Sequence, residues 1–483
     1  MSDAALWLYH RLPAPARSAA ASLRGYYLRR WRYGPETDRL IAEALDREQW
    51  TAAQWDRFRE QRLVSVLQRA ATRVPYYRAL WQARRRLGDR SSWEDLANWP
   101  LLDKEAVRAR PEAFLADGCR PRRMWRVHTS GTTGTSVTIW RSRETERALY
   151  ALAAARRRHW YGLSRGDRCA LIGGQLVTPT AQRRPPFWVW NAALNQLYMS
   201  SYHLAPALLP YYLDALAHYR VAYLEGYTSS LYALAQEALR LGRRDLQVVV
   251  AIPNAEPVED YQRQAIAAAF GCPVRETYGM AESVAAASEC QEGRLHLWPE
   301  VGSVEVVVDG QNVPVGASGE LVCTGLLNAD MPLIRYRIGD RGALTASPPP
   351  TACSCGRTLP SLAAVEGRVD DVLFTPDGRR IGRLDPVFKA DLPVREAQIV
   401  QDTLRRVRIR YVPTENFTPD AARTLVERLQ ARMGNVAVVL EPVAEVPRTA
   451  TGKFRAVVCN LPPEERATID TLTYAHADLP TRT

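Results

Sequence analysis

Thr129 to Thr135 packs five hydroxyl side chains and two glycines into seven residues. The β-prone Trp125-Arg126-Val127 precedes it and Val137-Thr138-Ile139-Trp140 follows, so the sequence predicts strand, tight loop, strand. Gly131 and Gly134 let the backbone take positive φ and fold around an anion. Successive N–H groups in such a loop form an anion nest, to which Thr129, Ser130, Thr132 and Thr133 add rotatable donors. The stretch therefore suits a polyphosphate cradle. It is not a Walker loop: the G-x-x-x-x-G-K-[ST] spacing is absent and no helix obviously begins here. A hydroxyl-rich hairpin turn is the plain alternative.

Strand and helix signals alternate beyond the cradle. Arg143–Tyr161 predicts a basic helix, Cys169–Gly174 a buried strand, Pro206–Tyr219 a helix, Val221–Tyr227 a strand and turn, Leu231–Leu241 a helix, and Leu246–Ile252 a β-branched strand. That order predicts an α/β sheet covered by helices. Ligands of such sheets sit beyond the carboxyl ends of the strands. Here those ends carry Tyr227-Thr228-Ser229-Ser230, Asn254-Ala255-Glu256-Pro257 and Tyr278-Gly279-Met280-Ala281-Glu282. Upstream, Trp55–Ala71 reads as an amphipathic helix with Phe58, Leu63, Val66 and Leu67 on one side. Residues 301–345 read as short strands of a β subdomain. Past Arg368 the chain becomes a smaller α/β segment, with a helix over Ala421–Met433 between strands at Val407–Val412 and Val436–Leu440. The expected organisation is a basic aromatic helical lead-in over 1–45, a large N-terminal domain of mixed sheets over 46–368, a small α+β domain over 369–460, and a tail over 461–483.

At 483 residues the chain has ample core for such domains. No run of eighteen apolar residues exists, and the start lacks a basic region followed by a long apolar one; a cytoplasmic location is expected. Eight cysteines in this length do not suggest a disulfide scaffold. The net charge of +12 suits an anionic partner: a nucleotide, coenzyme A, an acidic carrier protein or a membrane surface. Zinc-finger, helix-turn-helix and RNP signatures are missing, so no nucleic-acid partner is expected. Tyr26-Tyr27-Leu28-Arg29-Arg30-Trp31-Arg32-Tyr33 fits either an anionic membrane surface or a helical lid whose aromatics pack on the main domain, and the lid is the preferred reading.

Several motifs follow the cradle in a fixed order: Glu256-Pro257, Tyr278-Gly279-Met280-Ala281-Glu282, Gly319-Glu320-Leu321, Pro332-Leu333-Ile334-Arg335-Tyr336 through Asp340, Gly367-Arg368-Val369-Asp370, and Pro447 through Thr451-Gly452-Lys453 to Arg455. With the cradle they resemble the adenylate-forming enzymes, and more narrowly the phenylacetate–CoA ligase and coenzyme F390 synthetase branch, including CapK-like proteins. The lead-in Val74-Pro75-Tyr76-Tyr77-Arg78 and Pro100 to Lys104 resembles that branch too. The resemblance implies roles for residues of this chain. The cradle Thr129-Ser130-Gly131-Thr132-Thr133-Gly134 would hold ATP phosphates, Tyr278 and Gly279 would lie against adenine with Glu256-Pro257 beside it, and Glu282 would coordinate Mg²⁺. Asp340 would accept hydrogen bonds from both ribose hydroxyls, which its two oxygens suit. Arg368 would contact the ribose or α-phosphate, Asp370 would be the hinge to a mobile C-terminal domain, and Lys453 would be the catalytic lysine. Thr135 stands where the branch often has lysine, Ala255 where Gly is usual, and Ala281 where Thr or Ser is usual; Arg455 lies one residue nearer the lysine.

A separate set, Cys290, His296, Cys353 and Cys355, offers three thiols and one imidazole, a tetrahedral zinc set if the four meet. Otherwise they are four unrelated core or surface residues. The Cys-x-Cys-Gly-Arg element also recurs in the resembled branch, where a structural zinc is expected. Activity implied by the resemblance is activation of a small-molecule carboxylic acid by Mg-ATP to an acyl-adenylate, then transfer to a thiol, coenzyme A or a carrier phosphopantetheine. Transfer to an amine or hydroxyl is the alternative. A non-catalytic homologue in surface-polysaccharide biosynthesis is the competing class, for which Thr135, Ala255 and Ala281 would count as erosion. His203, Trp188, Trp190 and Tyr227 are candidates for an acyl pocket, with substrate contacts unassigned.

Overall fold

A computed structural model describes the chain except residues 1–2, 129–136, 180–181, 183, 205–206, 346–352, 369–372, 376–379, 382–386, 388–391, 448–454, 456 and 467–483. It divides into two compact units: residues 1–338 with 342–364, and residues 339–341 with 365–483.

The first unit contains a five-stranded sheet in the order Trp188–Asn191, Gln196–Ser200, Cys169–Gly173, Tyr223–Tyr227, Val250–Asn254. The last four run parallel and the first is antiparallel to its neighbour. Parallel strands need cover on both faces. Ala170, Ile172, Leu197, Leu224 and Ala251 are accordingly buried with residues of the helices Leu209–Tyr219, Thr228–Arg240 and Asp260–Phe270. The predicted alternation is present, with shifted bounds. The last strand begins only at Val250, and the helix expected at Leu231 begins at Thr228, because the Glu256 carboxylate accepts from the Ser229 N–H at 2.7 Å and so caps its first turn.

The edge strand Trp188–Asn191 was not legible in the sequence, and its covering explains the N-terminal segment. The helix Ala14–Arg32 lies along it. Ser18 Oγ accepts from the Trp190 N–H (3.2 Å), Ser22 Oγ accepts from the Ala192 N–H (3.0 Å), and a side chain on Gly25 would collide with Asn191. The serines satisfy backbone donors that an open edge would leave bare. The lead-in thus does pack on the domain, through serines, Gly25 and part of its aromatic run: Trp31 is buried with its ring 5.6 Å from that of Trp125, Tyr27 lies 6.1 Å from the same ring, and Tyr33 lies 6.0 Å from Tyr150, while Tyr26 faces solvent.

An eight-stranded sheet has the order Gln311–Asn312, Gly302–Val308, Gly319–Gly325, Tyr336–Leu344, Ser361–Arg368, Leu295–Leu297, Ala286–Glu289, Thr277–Gly279. This is the β subdomain expected over 301–345, extended by strands from both sides. The cradle's flanks form an antiparallel hairpin, Trp125–His128 with Thr138–Arg141, ending at the pair His128 and Thr138. The helix Arg143–Arg157 follows directly, capped by Ser142, whose Oγ accepts from the Thr145 N–H. The predicted amphipathic helix spans Ala52–Arg73, and Pro75, which cannot continue it, starts the next.

In the second unit, Ala437–Pro442, Arg406–Pro413, Val394–Thr403 and Val457–Cys459 form a sheet in that order under the helix Pro419–Met433. Ile399, Val407, Ile409, Leu425 and Leu429 are fully buried between them. The Gln401 side chain bridges to the short strand Leu373–Phe374, accepting from the Phe374 N–H (2.9 Å) and donating to its carbonyl (2.6 Å). The fold is the expected mixed α/β architecture with a smaller C-terminal α+β part.

Candidate functional site

Three turns carry the sequence motifs in the first unit, and each follows a strand. Tyr223–Tyr227 and Val250–Asn254 run parallel with Tyr227 opposite Asn254. The Thr277 hydroxyl donates to the Pro253 carbonyl (3.3 Å), tying the start of Thr277–Gly279 to the end of its neighbour. The start of the helix Thr228–Arg240 and the turns at 255–257 and 280–283 therefore gather at one end of the sheet, where an open α/β sheet binds ligands. Glu256 is half-buried: its carboxylate accepts from the Ser229 N–H and, at 3.1 Å, from the Ser229 hydroxyl, while its carbonyl accepts from Thr228 (3.0 Å). Pro257 is exposed beside it. Tyr278 is half-buried and pairs with Ala287 across the ladder, and Gly279 is exposed.

Glu282 is buried, and its Oε1 accepts from the Tyr336 hydroxyl at 3.0 Å. This contact joins two sequence motifs that lie 54 residues apart. Burial, reinforced by the Glu282 carboxylate, pushes the Tyr336 hydroxyl far above the ordinary phenol range, so it stays a donor. Arg141 closes the other side: its guanidinium pairs with Glu146 (2.9 Å) and donates to the Ala281 carbonyl. Tyr336 lies inside a sequence motif, but its hold on Glu282 spans 54 residues and has no local signal; neither periodicity nor motif marks Arg141.

Among the described residues six non-glycine residues are left-handed, and three of them lie in or beside these motifs: Ala255 at φ 63°, Ser283 at φ 53° and Arg335 at φ 47°. Arg335 is held there by Glu305 (3.2 Å) and by the Trp99 carbonyl (3.0 Å), and its N–H donates to Thr324 (3.0 Å). Strained residues persist only where the surroundings over-determine them, and they concentrate at ligand sites. The usual glycine at position 255 thus has a physical reason that Ala255 violates.

Asp340 is buried on the Tyr336–Leu344 strand, and Arg368 ends the Ser361–Arg368 strand. The cradle 129–134, Asp370 and Lys453 lie outside the described residues. The chain just after Lys453 is anchored: the Arg455 carbonyl accepts from Gln398 Nε2 (2.8 Å), and Val457 pairs with Ile399. Lys104 donates to the Ile338 carbonyl at 2.9 Å, a structural use of the lead-in motif. His203 is buried, hydrogen-bonded through both ring nitrogens to Ser200 Oγ (2.9 Å) and the Pro179 carbonyl (3.1 Å), and stacked on Phe187. Trp190 stacks on Tyr219, and Trp188 packs against Tyr212.

Cys290, His296, Cys353 and Cys355 do meet, with all four ligand atoms within 4.8 Å of one another. Cys290 Sγ and Cys353 Sγ are 3.8 Å apart, and Cys355 Sγ is 3.4 Å from His296 Nε2. A zinc tetrahedron with Zn–S near 2.3 Å and Zn–N near 2.0–2.1 Å has edges of about 3.8 Å (S to S) and 3.6 Å (S to N). His296 Nδ1 lies 3.1 Å from the Leu359 carbonyl, which fixes the tautomer with Nε2 facing the thiols. Burial drives the His296 pKa down to about 4, so the ring is neutral, as a ligand must be. Burial pushes the Cys290 thiol up to about 12. For Cys355 burial acts upward as well, but the Arg357 N–H and neighbouring thiols outweigh it and hold the thiol below its ordinary value. The donor set fits a closed structural metal site.

Residues 373–460 match the family described as the CapK C-terminal domain. Protein CapK of Staphylococcus aureus is 26% identical over 369 residues, covering 75% of this chain and 80% of that protein. Phenylacetate–coenzyme A ligase of Thermus thermophilus is 27% identical over 464 residues, covering 86% of this chain and 98% of that protein. Among solved structures, 2-hydroxyisobutyryl-CoA ligase in the postadenylation state has the same fold, with a TM-score of 0.65 at 21% identity over 89% of this chain and 94% of its own.

The strain at Ala255 makes a stability test. Ala255→Gly should gain about 0.5–1 kcal/mol in urea unfolding, because the left-handed penalty of alanine exceeds the entropy that glycine adds to the unfolded chain. A loss of stability would mean that the methyl group contributes more by packing than the backbone loses by strain.

Proposed function

On the premise that this chain belongs to the CapK-like, phenylacetate–CoA ligase branch of the adenylate-forming enzymes, we propose that it activates a carboxylic acid with ATP and passes the acyl group to coenzyme A. The observation that carries the reading is the Tyr336–Glu282 contact, which builds one preorganised carboxylate out of two separate family motifs. In the first half-reaction a carboxylate oxygen attacks the α-phosphorus of ATP and pyrophosphate leaves. Thr129, Ser130, Gly131, Thr132, Thr133 and Gly134 cradle the phosphates; Tyr278 and Gly279 lie against the adenine with Glu256 and Pro257; Asp340 takes both ribose hydroxyls. Glu282 would hold Mg²⁺, which would offset charge on the phosphate oxygens. Lys453 brings a mobile point charge to the α-phosphate as attack proceeds, and Arg368 assists from the ribose side. In the second half-reaction a thiol attacks the acyl carbonyl and AMP leaves. Lys453 must clear the path for that thiol, so rotation about Asp370 separates the two steps. A carrier phosphopantetheine, an amine or a hydroxyl as acceptor would change only the second step. The substitutions at Thr135, Ala255 and Ala281 favour the non-catalytic reading, whereas Lys453, Asp340, Glu282 and Arg368 together favour the ligase.

Lys453→Ala should lower acid-dependent pyrophosphate release by on the order of 10²-fold or more, the usual weight of one preorganised charge donor. Thioester formation from supplied acyl-adenylate should fall much less. Equal losses in both half-reactions would remove Lys453 from its role.

The cysteine–histidine set is proposed to hold one structural zinc. Metal analysis of purified protein should give about one zinc per chain, and Cys353→Ser should lower both zinc content and thermal stability. Protein that is zinc-free yet equally stable would contradict the site.

A further inference from the structure

Six arginines and no carboxylate lie between Ala4 and Pro35: Arg11, Arg17, Arg24, Arg29, Arg30 and Arg32. With Asp3 before it, this segment forms the helices Asp3–Arg11 and Ala14–Arg32. One face of each is committed to the domain. Tyr9 donates to the Val177 carbonyl (3.1 Å), Arg17 donates to Gln182 (3.0 Å), Ser18 and Ser22 bind the edge strand, and Gly25 presses on Asn191. At 100° per residue Ala19, Leu23, Tyr26, Tyr27 and Arg30 lie roughly 80–180° round the longer helix from Ser18, with Arg24 beyond them, while Arg29 is exposed on the side of Ser18 and Ser22. The outward face is largely exposed, with only the Tyr27 ring reaching Trp125: Leu23 is 72% exposed, Tyr26 55% and Tyr27 51%. In the shorter helix Trp7 is 56% and Leu8 61% exposed, and Arg11 sits 3.5 Å over the Trp7 ring.

We propose that this outward face of the two N-terminal helices seats the protein on an anionic lipid surface. Large apolar and aromatic side chains ringed by arginines, without an acid among them, fit the headgroup boundary: apolar tips enter the acyl edge and guanidinium groups meet lipid phosphates. The same face is a poor match for itself, because a two-fold contact would set these arginines against their own copies. Duplex nucleic acid would take the charge but leave Leu8 and Leu23 without apolar partners. The inner face is already hydrogen-bonded to the domain, so docking orders no new segment. Contact is peripheral, since among the described residues no helix is long and apolar enough to cross a membrane.

The test is co-sedimentation of the full chain with vesicles of phosphatidylcholine alone and of phosphatidylcholine mixed with phosphatidylglycerol, at low and raised salt. Binding should require the anionic lipid and weaken as salt rises. Joint Arg24→Gln, Arg29→Gln and Arg30→Gln should lower partitioning by on the order of 10²-fold. Joint Leu23→Ser, Tyr26→Ser and Tyr27→Ser should lower it by at least roughly tenfold. Both sets are on the surface, and an unchanged unfolding temperature checks that each variant is folded. Absent or lipid-independent binding, full binding by either folded variant, tighter binding to duplex DNA, or concentration-dependent dimerisation through this face would each overturn the proposal.

Discussion

The arrangement around the site depends on a buried group of charges centred on Arg156. Its guanidinium makes two parallel hydrogen bonds to Glu300 (2.8 and 2.9 Å) and a third to Glu48 (3.3 Å), with no solvent exposure of its own. Glu48 also accepts from Trp160 Nε1 (2.8 Å) and from Arg357 Nε (2.7 Å). A buried ion pair contributes little net stability, but removing one partner strands a desolvated charge at a cost of about 3–5 kcal/mol. The network therefore acts as a geometric constraint. It fixes the helix Arg143–Arg157, which begins where the cradle hairpin ends, to the end of the helix Thr37–Arg47 and to the chain beside Cys355.

The same logic recurs at smaller scale in the turns. Glu282 is not left to find its own position: Tyr336 holds its oxygen, and Arg141, itself paired with Glu146, holds the preceding carbonyl. Glu256 spends its carboxylate on the first turn of Thr228–Arg240. That contact makes it a positioning group for the turn, compatible with a nucleotide beside it. The left-handed residues Ala255, Ser283 and Arg335 lie in or beside these motifs. Strain of this kind is tolerable because the surrounding hydrogen bonds leave the turns no alternative.

Much of this was legible in the sequence. The hydroxyl–glycine loop between β-prone flanks gave the hairpin Trp125–His128 with Thr138–Arg141, and the Cys/His spacing gave a cluster whose edges fit a zinc tetrahedron. Local patterns failed where tertiary contacts decide. Strands Trp188–Asn191 and Val394–Thr403 carry no strong period-two signal in the sequence, the first because apolar side chains fill both its faces, Trp188 and Trp190 on Tyr212 and Tyr219 and Val189 with Val177 and Tyr198, the second because it is buried among neighbours. Tyr336 and Arg141 act across long sequence separations, which no local motif encodes. In the basic aromatic run the composition pointed to packing, and Trp31 and Tyr33 do pack on Trp125 and Tyr150, but the serines that bind the edge strand carried no such signal.

Acid-dependent pyrophosphate release from ATP by the purified chain, measured across aryl, fatty and amino acids, tests the central claim most directly. The account predicts that at least one acid class stimulates release well above the acid-free rate, with AMP appearing once coenzyme A is added. No stimulation by any class from folded, metal-replete protein would contradict it and favour a homologue that has kept the fold and lost the chemistry.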